Sequence, residues 1–307
     1  VIGRRRLGAA LLASVPAACA PVDLLNDSIS GNGVQVTRGV PYAPGPRGML
    51  DIYRPTRAQG LLPVVVFIYG GSWNSGRRRD YLFVAGPLAA EGMVVVVPDY
   101  RLFPEVRFPA FVEDAAAAIA WTLRHVADYG GNPSDVFVMG HSAGAHIAAM
   151  VALDPAFLAA AGADRSQLAG FIGLAGPYDF LPITDPDIKP IFAGSDPAAT
   201  QPINFVDGHN PPALLLAGDA DETVDPANTT RLAARIRERG GPVEAKIYPG
   251  LAHIGIVIAI APLFRDRAPV LADVMAFIRA HPGAAAAAAP VSGAPTSAGG
   301  AFPAPAR

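Results

Sequence analysis

Near-continuous apolar runs of strand length recur along the chain at residues 63–69, 93–98, 136–139, 171–175 and 213–217. Runs without polar alternation predict strands covered on both faces. Between them lie segments whose apolar positions recur at helical spacing: one ending near Glu91, then 109–129, 143–153, 226–239 and 265–279. The segment 109–129 opens on Pro109, which suits a first helical turn, and predicts a long packed helix. Two early strands, 34–38 and 49–54, flank the Pro/Gly-rich stretch 42–48, which predicts a hairpin connection; 243–248 is a last strand. Strands alternating with helices imply an α/β chain with a mostly parallel sheet and an antiparallel edge at its front. Residues 176–211 are rich in Pro, Asp and Gly without periodicity, which predicts a lid-like excursion.

Composition narrows the class. The chain has 307 residues, 51% hydrophobic and 16% charged, which excludes a disordered protein. It carries 24 Lys and Arg against 26 Asp and Glu, and three of the basic residues are Arg4, Arg5 and Arg6. The remainder is acidic, with no basic face and no aromatic–basic interleaving, so no nucleic-acid partner is expected. Arg4–Arg6 followed by the apolar run 7–18 reads as an export signal at residues 1–20, too short for a spanning helix. Cys19, the single cysteine, ends the segment as in a lipoprotein cleavage site, although Pro16 departs from that pattern. The expectation is a periplasmic or lipid-anchored protein, attached to the membrane if Cys19 is acylated; a cytoplasmic chain with an apolar N-terminal helix is the alternative. Residues 30–280 are expected to form one domain, and the Ala/Pro-rich stretch 281–307 reads as a disordered tail.

The chemistry-bearing motif is Gly140-His141-Ser142-Ala143-Gly144, between an apolar run and an alanine-rich helical stretch. A serine on so sharp a strand-to-helix turn presents its hydroxyl to a pocket, and the glycines relieve collisions in the bend. A neutral hydroxyl needs a base and an oxyanion pocket. His253, directly after the last strand, is the candidate base, in the chain order serine, acid, histidine. Four carboxylates crowd residues 219–225. Asp221 is placed to reach the histidine, Asp225 precedes Pro226 as a helix cap, and Asp219 lies at the strand end; Asp219 and Asp225 remain alternatives for the acid. Backbone N–H groups of Gly71, Ser72 and Ala143 are the candidate oxyanion donors. Trp73 packs under that loop or lines the substrate site. Tyr178, Phe180, Phe192 and Phe205 in the excursion are candidate substrate contacts or a packed lid. No phosphate loop, dinucleotide fingerprint or metal-ligand spacing occurs, so no cofactor or metal is expected.

The chain resembles the esterase and lipase branch of the α/β-hydrolase superfamily, and more narrowly bacterial carboxylesterases related to kynurenine formamidase and feruloyl-esterase-like proteins. The resemblance spans about residues 34–280. It is carried by Leu50-Asp51-Ile52-Tyr53-Arg54-Pro55, Tyr69-Gly70-Gly71-Ser72-Trp73, Asp99-Tyr100-Arg101-Leu102, His141-Ser142-Ala143-Gly144-Ala145-His146, the Gly218-x-x-Asp221-x-x-Val224 segment and Gly250-x-x-His253. It implies an α/β-hydrolase fold, with a mostly parallel central sheet flanked by helices, and a triad of Ser142, Asp221 and His253. It also implies a small-molecule carboxylic ester as substrate and an acyl-enzyme intermediate. Arylformamidase or amidase chemistry is the alternative within enzymes, and a noncatalytic binding protein of the same fold is the alternative outside them. Tyr69 stands where the family often has histidine, so the bracing of the glycine loop is expected to differ.

Overall fold

The structure is a computed structural model that describes residues 25–26 and 33–283. The expected signal at residues 1–20, with Cys19, and residues 284–307 of the expected tail lie outside the described residues. No helix of the described residues is long and apolar enough to cross a membrane.

Eight strands form one sheet: β1 (Val34–Pro41), β2 (Met49–Pro55), β3 (Leu62–Ile68), β4 (Val94–Pro98), β5 (Gly131–His141), β6 (Leu168–Leu174), β7 (Ala213–Gly218) and β8 (Val243–Tyr248). Their order is β1-β2-β4-β3-β5-β6-β7-β8. Strand β2 runs antiparallel to β1 and β4, and the other pairings are parallel. The α-helices that accompany the sheet are α1 (Leu82–Ala90), α2 (Ala110–His125), α3 (Ala143–Leu153), α4 (Pro155–Ala160), α5 (Ala227–Glu238), α6 (His253–Ile258) and α7 (Val270–Ala280). This is the α/β-hydrolase architecture. Successive residues Val64, Val65, Val66, Phe67 and Ile68 are all fully buried. Alternate side chains of a strand face opposite ways, so both faces of the centre are covered. That explains why no polar alternation marks these strands.

The sequence expectations differ from the structure at some element ends. The long helix stops at His125, where a 3-10 turn (Val126–Tyr129) leads to Gly130 in the left-handed region at φ 81°. The final helix begins at Val270 instead of residue 265. Pro269 disfavours helical backbone in the residue before it. The excursion 176–211 carries 3-10 turns at Lys189–Ile191, Pro197–Thr200 and Pro202–Phe205.

Two glycines of the serine motif are required by close approach. A Cβ on Gly140 would lie 2.2 Å from the Gly144 carbonyl oxygen, and one on Gly144 would lie 2.1 Å from that of Ile68. Their absence lets α3 start directly over the ends of β3 and β5.

Candidate active site

Ser142 occupies the bend between β5 and α3 at φ 56° and ψ −124°. A non-glycine residue held there costs about 1–3 kcal/mol, a strain common at functional sites. Its N–H donates to the Leu174 carbonyl at 2.9 Å, which fixes the bend to β6. The hydroxyl lies 2.9 Å from His253 Nε2, and His253 Nδ1 lies 2.8 Å from Asp221 Oδ2. With Nδ1 facing a carboxylate, the neutral ring carries its proton there, and Nε2 accepts from the serine. Asp221 Oδ1 accepts from the N–H groups of Thr223 and Val224, each at 2.9 Å. His253 and Asp221 are buried, at 8% and 6% exposure.

The geometry separates the crowded carboxylates. Asp221 faces the histidine. Asp219 Oδ1 accepts from Gly250 N–H at 2.6 Å and joins the β7 loop to the β8 loop. Asp225 is exposed and accepts from Ala227 N–H at 2.9 Å at the start of α5.

Behind the glycine loop the backbone is strained again, with Ser72 at φ 48° and Trp73 at φ 56°. Asn74 and Ser75 N–H both donate to the Gly71 carbonyl at 3.0 Å, curling the loop into a tight turn. Ala143 is the first residue of α3, so its N–H has no intrahelical acceptor. Ser72, Trp73 and Ser142 border one cavity of about 570 Å³. Phe180, Leu181, Pro182, Ile183 and Ile188 of the excursion supply its apolar wall, and Asp225, Asn228 and Arg231 line it from the α5 side.

Of the five candidate substrate contacts, Trp73 and Phe180 border this cavity and the other three do not. Tyr178 is fully buried, with its hydroxyl so close to Gly173 that a Cβ there would meet it at 2.0 Å. Phe192 is 5% exposed and packs edge-on against Trp73 at 5.0 Å between ring centroids. Phe205 ends a 3-10 turn away from the lining. Asn228 Oδ1 accepts from the N–H groups of Tyr178 and Asp179, and Gln201 Oε1 from that of Phe180, so side chains from α5 and the excursion hold the backbone that carries these residues.

His141, Arg47 and Arg78 shape the site although no sequence motif gives them a role, and Tyr69 braces the glycine loop. His141 Nε2 lies 3.1 Å from the His253 carbonyl, to which it donates, so the residue before the serine supports the histidine's loop. A polar network of Arg47, Asp51, Tyr69, Arg78 and Asp99 lies under the glycine loop. The motifs around Asp51 and Asp99 were visible, but their partners are distant in sequence. Burial pulls the Arg78 guanidinium down, yet its bonds to Asp51 and Asp99 outweigh this and hold it above its ordinary value. Burial also pushes the Tyr69 phenol up, keeping its proton available to Asp99.

Two buried histidines make stability pH-dependent. Burial lowers His141 to about 3 and His146 to about 4, from 6.5. Both are neutral in the folded protein, whereas the unfolded chain protonates them below pH 6.5. Their contribution to stability is therefore full above pH 6.5 and is lost as pH drops from 6.5 towards 4. The urea midpoint should decline across that window, and His146→Gln should flatten the slope. A parent midpoint independent of pH there would contradict this account.

The fold is that of the α/β-hydrolase class, and Ser142, His253 and Asp221 stand in the arrangement of a serine-hydrolase triad. The BD-FAE family model matches residues 50–236. The chain belongs to the BD-FAE family. It is 30% identical over 271 residues to a probable isoprenylcysteine alpha-carbonyl methylesterase, ICMEL1, of Oryza sativa subsp. japonica, covering 80% of this chain and 63% of that one. It is also 31% identical over 152 residues to the kynurenine formamidase of Salmo salar, covering 48% of each chain. The chain thus spans less than two thirds of the length of these curated relatives. Among solved structures, esterase B from Lactobacillus rhamnosis superposes with a TM-score of 0.71 at 21% identity, covering 84% of this chain and 90% of that one.

Proposed function

We propose that the chain hydrolyses neutral carboxylic esters of small molecules through an acyl-enzyme on Ser142. The observation that carries the proposal is the aligned relay from Asp221 through His253 to Ser142, opening on a cavity with an apolar wall. His253 Nε2 takes the Ser142 proton as Oγ attacks the ester carbonyl. The N–H groups of Ser72 and Ala143, with Gly71 beside them, receive the oxyanion. Asp221 stabilises the imidazolium, which then protonates the departing alcohol. Water, activated by the same imidazole, releases the acid and regenerates the hydroxyl.

The cavity suggests which esters fit. Phe180 to Ile183 and Ile188 favour an apolar acyl or alcohol group. Arg231 pairs with Asp179 at 2.6 Å, which leaves the lining carboxylates of Asp185 and Asp225 in excess. Anionic esters are therefore disfavoured. The rice relative is named for methyl ester hydrolysis on an isoprenylcysteine, and the apolar wall is compatible with such a substrate. The partial match to a kynurenine formamidase favours formamide cleavage as the second reading, since the same triad serves both acyl groups.

A panel of short-chain nitrophenyl esters, a feruloyl ester, an anionic succinyl ester and N-formylkynurenine tests the assignment. The expected result is the highest kcat/KM on neutral nitrophenyl esters and at least about 10-fold less on the succinyl ester, a difference of ~1.4 kcal/mol. Preference for N-formylkynurenine over every ester would install the second reading instead.

A further inference from the structure

We propose that Arg47, in the loop between β1 and β2, is a positioning residue that holds the Gly71–Ser72 oxyanion donors in their strained geometry. The inference rests on the ester-hydrolase reading of the site. Ser72 and Trp73 are consecutive non-glycine residues in the left-handed region. Left to itself such a turn relaxes to negative φ, which swings the Ser72 N–H away from the oxyanion position. The turn's own bonds to the Gly71 carbonyl oppose that relaxation from within, and bonds to its two flanks oppose it from outside.

Arg47 bonds to both flanks of the turn. Its Nη1 donates to the Tyr69 hydroxyl at 3.2 Å on the entering side and to the Gly76 carbonyl at 3.3 Å on the leaving side. Nη2 adds a second bond to Gly76 at 3.3 Å. The Tyr69 hydroxyl donates in turn to Asp99 Oδ1 at 2.9 Å, and Asp99 is paired with the buried Arg78. Tyr100 Oη donates to the Tyr69 carbonyl at 2.8 Å, while its own carbonyl accepts from Arg47 at 3.3 Å. Gly76 sits so close over the Tyr69 ring that a Cβ would meet it at 2.9 Å. Phe103 N–H holds the Trp73 carbonyl at 2.9 Å. The guanidinium thus clips together the two ends of a loop whose middle carries the donors. A planar fork of several donors fits this task, which the single ammonium of lysine does not reproduce.

The test compares nitrophenyl acetate with its thionoacetate analogue in the parent, Arg47→Met and Tyr69→Phe. Sulfur is larger and a weaker acceptor than oxygen, so aligned donors favour the oxoester. Damage to the serine–histidine pair slows both esters alike, whereas misaligned donors slow chiefly the oxoester. Arg47→Met should lower kcat on the oxoester by about 10–30-fold, short of the ~10²–10³ expected for losing a donor outright. KM should stay within about threefold, and the oxo-to-thiono rate ratio should shrink towards unity. Tyr69→Phe keeps the ring stacks on Tyr81 and Tyr100 and removes only the hydroxyl. It should move the ratio the same way, and the double variant should be less than additive. Tyr69→Phe is read alone if Arg47→Met does not fold. An active parent whose ratio is unchanged in these variants, or whose two rates fall in parallel, overturns the role given to Arg47. A parent that turns over neither ester counts against the ester-hydrolase reading itself.

Discussion

Ser142→Ala should abolish labelling by a fluorophosphonate probe and lower ester turnover by roughly 10⁶-fold, the scale on which serine hydrolases depend on their nucleophile. Ser142 Oγ is 2.9 Å from His253 Nε2, so proton transfer can accompany attack. The bend fixes the hydroxyl beside the glycine loop, where a Cβ on Gly70 would come within 3.1 Å of Ser142 Cβ. Alanine keeps the bend and removes one oxygen, so the variant should melt near the parent temperature and still bind substrate. Residual activity can remain from the donors and the cavity. The cleaner readout is intact mass after the probe: one adduct on the parent and none on the variant. An adduct surviving on Ser142→Ala would move the nucleophile elsewhere and remove the basis of the mechanism.

The central sheet was legible because burial on both faces leaves no place for polar residues, and 63–69, 93–98 and 213–217 read accordingly. The turn at Ser142 was legible because close approach admits only glycine at residues 140 and 144. Other parts depend on contacts that the local pattern does not encode. The helix His253–Ile258 reads His-Ile-Gly-Ile-Val-Ile, a β-branched run of low helical preference. It forms where Ile256 and Val257 are buried. Strand β5 begins five residues before its apolar run, because Gly131 pairs with Leu62 across a register shift. The excursion's aromatics could not be sorted by sequence, since the backbone that carries Tyr178 and Phe180 is held by Asn228 and Gln201, which are distant in the chain. The bracing under the glycine loop joins residues 47, 51, 69, 78 and 99, so motifs visible one by one acquire a role only when the sheet brings them together.

Asp221→Asn should lower kcat by about 10³–10⁴-fold with the fold retained, whereas Asp225→Asn should change it less than about twofold. In the parent, Asp221 Oδ2 accepts the proton on His253 Nδ1, which leaves Nε2 free to act as base. An asparagine can meet Nδ1 with its NH2 group, and the ring then carries its proton on Nε2 and has no lone pair for Ser142. The other half of the amide can still accept from Thr223 and Val224 N–H, which take Asp221 Oδ1 in the parent. Stability should therefore change far less than rate. The carboxylate's charge is also lost, so the imidazolium formed during attack goes unstabilised. Asp225 holds Ala227 N–H at the start of α5, and asparagine caps a helix about as well as aspartate. Loss of activity in Asp225→Asn with activity kept in Asp221→Asn would reverse the assignment of the acid. Loss in both, with equal falls in melting temperature, would show that the loop as a whole had been damaged.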